Sequence, residues 1–95
     1  MPYKLREARY PTTPYATLYD AAKLPNTSPA ARKDYQQFTA SALPRAFAVS
    51  SNRRYWAWSG NDTESAEHAI ERCVAKAKSS CVLYAVDERI VYRKP

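Results

Sequence analysis

Cys73 and Cys81 are the residues of this chain best equipped for a specific piece of chemistry, since they are its two cysteines and stand eight positions apart. The first falls near the end of an amphipathic run, and the second opens an apolar one, Cys81-Val82-Leu83-Tyr84-Ala85-Val86. A helix end, a short loop and a strand would bring the two α-carbons within the several-ångström window that a disulfide requires. Closing so small a loop stabilises a fold by about 2 to 3 kcal/mol on the chain-entropy model. Two readings stay open: a bridge made in an oxidising compartment, or two buried thiols kept reduced in the cytoplasm.

His68 is the single histidine and lies five positions before Cys73, so a set of four metal ligands does not assemble and no metal or cofactor is expected. Asp62, Glu64 and His68 share a helix start. Glu64 and His68, at i and i+4, read as a surface pair worth a few tenths of a kcal/mol. A serine or cysteine nucleophile needs a base within hydrogen-bond reach and an orienting group behind it, and the sequence gathers no such set. Gly60 is the one glycine, too few for a phosphate-cradling loop. The expectation is a protein that is not an enzyme.

The remaining candidates are aromatic and basic: Arg53, Arg54, Tyr55, Trp56, Trp58, Tyr92, Arg93 and Lys94. If Trp56 and Trp58 lie on a sheet face turned away from the helices, they form a platform on which a sugar ring, a base or a side chain stacks. If that face is turned toward the helices, the same two residues are core.

The 95 residues make one domain and carry a formal charge of +6 with eight tyrosines. That charge permits an acidic partner, either a protein or an anionic polymer. No apolar run approaches the roughly 20 residues of a membrane span, and a monomer is expected. The start, Met1 to Arg6, lacks the apolar stretch of a signal peptide. A periplasmic or secreted protein therefore requires a removed leader, and reduced cysteines would place the chain in the cytoplasm.

Residues 1–28 carry Pro2, Pro11, Pro14 and Pro25 among Tyr3, Tyr10, Tyr15 and Tyr19, which reads as an extended arm, either loosely ordered or docked through its tyrosines. Thr17 to Lys23 allows one helical turn. Residues 29–95 read as a single domain. Ser28-Pro29 is a capped helix start, and Ala31, Tyr35, Phe38 and Ala42 recur at helical spacing until Pro44 ends the run, predicting a helix to about Ser41. Arg45 to Ser50 and Arg54 to Ser59 alternate as a hairpin whose turn residue of positive φ is expected to be Asn52.

Asn61 or Asp62 caps a second helix, with Ala66, Ala69, Ile70, Cys73, Val74 and Ala77 as a stripe of mostly small residues. Cys81 to Val86 and Ile90-Val91-Tyr92, joined by Asp87-Glu88-Arg89, form a second hairpin. The order is αββαββ. The expected fold is α+β: a two-layer sandwich whose four-stranded, largely antiparallel sheet carries both helices on one face.

From Pro29 to Tyr92 the chain resembles a group of small bacterial proteins and C-terminal modules of unknown function. In these, a Pro-Arg-Ala-Phe-Ala pattern precedes a Trp-rich strand, an Ala-rich helix with a Cys, and a Cys-x-Leu-Tyr-Ala-Val strand. The matching stretches are Pro44 to Ser50, Tyr55 to Trp58, Ala66 to Cys73 and Cys81 to Val91. It is also distantly similar to DUF4189 domains of bacterial envelope proteins, which share the aromatic strand and the spaced cysteine pair. Ser51-Asn52-Arg53 departs from the glycine-containing turn usual there. The resemblance implies a bacterial origin and an envelope or secreted setting, and it supplies no catalytic residue. The expected function is a non-enzymatic binding or interaction module. The alternative is a small basic nucleic-acid-binding domain that uses an aromatic sheet face.

Overall fold

The computed structural model describes residues 9–26 and 28–93. Its elements are α1 (Pro29–Ala40), β1 (Ala46–Ser50), β2 (Trp56–Ser59), α2 (Ser65–Ala77), β3 (Cys81–Val86) and β4 (Arg89–Ile90), preceded by a 3-10 turn at Ala21–Lys23. The protein is thus an α+β domain in αββαββ order. Its four strands form one sheet in the order β2-β1-β3-β4, every neighbouring pair antiparallel.

Local sequence accounts for most of the boundaries. The Ser28 Oγ accepts from the Ala31 amide at 3.2 Å, and Pro29 occupies the first turn, where its missing N–H leaves no bond unmade. α1 ends at Ala40, one residue short of the expected limit, because Ser41 is extended and its hydroxyl donates to the Phe38 carbonyl at 2.7 Å. The first hairpin corrects one expectation: Arg53, not Asn52, takes the positive φ of 64°. Asn52 instead spends its Oδ1 as an acceptor, from the Arg54 amide at 3.0 Å and the Ser50 hydroxyl at 2.6 Å.

The helices do not share a face of the sheet. Phe47 and Val49 of β1 join Ala31, Tyr35 and Phe38 of α1 in one core cluster, while Ala46 and Ala48 join Ala66, Ala69 and Cys73 of α2 in another. Alternation along a strand sends these two sets to opposite sides. The sheet is therefore the middle of three layers, and all of β1 is buried. Small residues in a strand look like a solvent side in the sequence. Here Ala46, Ala48 and Ala57 meet Ala66 and Ala69, and this small-on-small contact is what lets α2 lie close to the sheet.

β3 carries a bulge opposite β1, with Phe47 paired to Ala85 and Ala48 to Leu83, so Tyr84 is the extra residue. Its carbonyl accepts from both Val91 (2.9 Å) and Tyr92 (3.2 Å), which ends the last hairpin. β4 is consequently two residues long rather than reaching Tyr92, and Tyr92 turns inward to join the aromatic core.

The first segment is docked over its described length. The Thr13 amide donates to the Ile90 carbonyl at 2.9 Å, and the Thr13 hydroxyl donates to the Tyr92 carbonyl at 2.5 Å. Tyr15 stands edge-on to Tyr92, its ring centroid 4.8 Å away, and Leu24 is buried in the same cluster. Tyr19 is exposed and takes no part. Residues 1–8, including Tyr3, lie outside the described residues.

Candidate functional site

A groove of about 430 Å³ opens where α2, the outer edge of β3 and the first segment meet. Ile70 of α2, Leu83 of β3 and Val91 form apolar walls, Cys81 and Val82 run along one side, and Tyr10 and Pro11 close another. Arg9 and Arg93 are the charged residues lining it. Val82 is 48% exposed, a large aliphatic surface to leave in water. The Arg89 side chain holds the first segment near this groove by donating to the Tyr10 carbonyl.

Of the two cysteines, Cys81 lines the groove. Cys73 and Cys81 form a disulfide with their α-carbons 6.1 Å apart, and no described cysteine is free. The bridge ties the C-terminal half of α2 to the first residue of β3. Cys73 is fully buried, whereas Cys81 is only partly so.

The aromatic and basic candidates do not converge. Trp56 and Trp58 face α1, half-buried against the aromatic core. The Trp56 Nε1 donates to Asp34 of that helix at 2.8 Å, and Trp58 stands edge-on to Phe38. Tyr92 is buried, Tyr55 points to the opposite face by strand parity, and Arg54 is exposed in the turn. A single aromatic platform is therefore not assembled, because α1 roofs the face that would have carried it. Arg53 and Tyr92 do meet, with Lys23 and Tyr15, around a smaller hollow of about 210 Å³. Arg93 lies at the groove, and Lys94 lies outside the described residues.

Asp62, Ser59 and His68 form a tight cluster at the start of α2. The Asp62 Oδ2 accepts from the Ser59 hydroxyl at 2.6 Å and bonds the His68 Nδ1 at 2.5 Å, while Oδ1 accepts from the Glu64 amide at 2.9 Å. Neither Asn61 nor Asp62 caps α2, because Glu64 stands at the cap position and its side chain makes no capping bond; Asn61 takes a positive φ of 50° and the Asp62 carboxylate orders the turn just before the helix. These bonds, first that from Ser59 and then that from His68, hold the Asp62 carboxyl well below the usual carboxylate range. The same bond to Asp62 pushes His68 up. The residue types are those of a hydrolase triad, but the order is not. The carboxylate sits between serine and histidine, so it is Asp62 and not the imidazole that accepts from the Ser59 hydroxyl, and Ser59 is itself buried.

Among the described residues no group of three His, Cys, Asp or Glu side chains is placed to hold a metal ion, and no helix is long and apolar enough to cross a membrane.

Cys81 and Arg93 stand out in the sequence, but the groove they border does not. Its one signal was the unbroken apolar run of β3, longer than the short strand after it covers. No protein-family model, curated protein or solved structure matches this chain.

Proposed function

We propose that this chain is a non-enzymatic binding module of a bacterial envelope or secreted protein, and that its binding surface is the groove beside the Cys73–Cys81 bridge. The observation that carries the reading is the groove's make-up: aliphatic walls from Ile70, Leu83 and Val91, with Arg9 and Arg93 as its charged lining. Exposed aliphatic surface next to fixed positive charge suits a partner that presents an apolar body and carboxylates. The disulfide is compatible with an oxidising compartment and supports the envelope or secreted placement. The separation of Ser59 from His68 by Asp62 supports a role without bond-making chemistry.

The nucleic-acid reading has weaker support, since Trp56 and Trp58 are engaged by α1 and offer no open stacking face. Titrating 4-phenylbutyrate, an apolar chain ending in a carboxylate, into nitrogen-15-labelled protein tests the groove. The expected result is amide shifts centred on Ile70, Leu83 and Val91, reduced in an Arg9→Ala/Arg93→Ala variant. Shifts confined to another surface, or none, would refute the site. Salt-sensitive binding of a single-stranded oligonucleotide in its place would favour the alternative. Two free thiols in protein taken from its native compartment would withdraw the envelope placement.

A further inference from the structure

The sheet leaves part of one edge unpaired. β4 pairs only with Ala85 and Val86, so among the described residues no strand lies beside the outer edge of Cys81, Val82 and Leu83. The ladder with β1 says which groups point there. The Ser51 amide donates to the Ser80 carbonyl, and the Asp87 amide donates to the Arg45 carbonyl, so the odd-numbered residues of β1 face β3. Val49 pairs with Val82 and Ala48 with Leu83. Antiparallel pairing alternates, so Val82 turns its backbone toward β1, whereas Cys81 and Leu83 turn their N–H and C=O groups outward. The other edge of the sheet is treated differently: Arg72 donates to the Trp58 carbonyl of β2 at 3.0 Å.

From this we infer that the occupant of the groove is an extended acidic peptide that adds to β3 as a further antiparallel strand at Cys81–Leu83, an inference that rests on the groove being the binding surface. An open edge beside exposed aliphatic surface is a template for strand addition, in which backbone bonds supply affinity and alternate side chains supply selectivity. Alternate side chains of the added strand would fall against Leu83, Ile70 and Val91. Carboxylates at its ends would meet Arg9 and Arg93, and no lining residue would repel them.

The probe is a short acetylated and amidated peptide of alternating valine and glutamate, with two further forms N-methylated at one or the other set of alternate amides. An added strand bonds through one set only. One methylated form should therefore bind like the parent and the other at least about tenfold weaker. Amide exchange at Cys81 and Leu83 should slow on binding while Val82, already bonded to β1, stays unchanged. Replacing glutamate by lysine should weaken binding to a similar degree. If both methylated forms bind like the parent, or no peptide binds while 4-phenylbutyrate still does, strand addition is overturned and the groove reading stands. If neither probe binds, both fall. Slow exchange at Cys81 and Leu83 in the free protein at every concentration would mean that the chain covers its own edge. Protection that appears only with concentration-dependent dimerisation would assign the edge to a second copy. Either result overturns the inference.

Discussion

Arg45 and Asp87 hold each other through backbone and side chain together: the Arg45 amide donates to the Asp87 Oδ1 at 3.0 Å, its Nε donates to the Asp87 carbonyl at 2.9 Å, and the Asp87 amide donates to the Arg45 carbonyl at 2.8 Å. Both residues are buried. The Arg45 guanidinium also donates to the Thr39 and Ser41 carbonyls at the end of α1 and lies over the Phe38 ring. One side chain thereby fastens a helix end and the β3–β4 turn to the start of β1. Leaving a buried donor such as the Arg45 amide without its acceptor typically destabilises by about 1 to 3 kcal/mol. Asp87→Ala should fall in that range in urea unfolding, and its loss of a residue tolerant of the local φ of 57° adds to it. Asp87→Asn keeps an acceptor for the Arg45 amide and tolerates the same φ, so it should be distinctly milder. Equal losses for the two would remove this account of the pair.

Gly60 is required by close approach rather than by its own backbone angle. A β-carbon there would stand 2.6 Å from the Ser41 Oγ, 2.8 Å from the Ser41 Cβ and 3.1 Å from the Trp58 ring. Gly60→Ala should therefore destabilise by about 1 to 3 kcal/mol, the usual range for overpacking. Ser41→Gly in the same chain should return part of that loss. A double-mutant cycle that shows the two changes to be simply additive would contradict the contact.

His68 and Asp62 set a pH window for stability. Because the folded protein raises the His68 pKa above its ordinary 6.5, the histidine's contribution is fully present below that value and fades as pH rises through the raised one. Asp62 is lowered from 3.8, so its contribution is present above that value and is lost as pH falls through the depressed one. The melting temperature should thus be highest between about pH 4 and 6.5. His68→Gln should flatten the alkaline side of the profile, and Asp62→Asn should flatten both sides. A wild-type profile with no decline above neutrality attributable to His68 would rule out the linkage.

Reducing the Cys73–Cys81 bridge should lower stability by about 2 to 3 kcal/mol, because it releases a short loop in the unfolded chain. Urea unfolding with and without reductant, with Cys73→Ala/Cys81→Ala as the control, reads this directly. Cys73 packs with Ala66 and Ala69, so the double variant also loses packed volume and should be the less stable of the two reduced forms. Unchanged stability on reduction would show that the bridge is not part of what holds α2 to the sheet.

Periodicity and punctuation alone made the element order legible. Ser28-Pro29 starts α1 for a reason confined to its first turn, Pro44 forbids its continuation, and the spacing of Ala66, Ala69 and Cys73 puts them on one helix face. That Cys73 and Cys81 lie within reach of each other is legible for the same reason, but their spacing leaves open whether the sulfurs are joined or reduced, and the bridge comes from the structure. Which side of the sheet each helix covers is not a local property. Ala46 and Ala48 have the same composition whether they face water or an alanine-lined helix, and only the docking of α2 decides between them. Trp56 and Trp58 met the same fate: α1 reached across to bond Asp34 to Trp56, and a possible platform became a wall of the core. The groove is still further from local pattern. It exists because the Tyr84 bulge cuts β4 short and a segment from the other end of the chain bonds Ile90 and Tyr92, contacts separated by more than seventy residues. Short-range chemistry selects helices, turns and strands, but the open edge at Cys81–Leu83 is a property of how those elements close on one another.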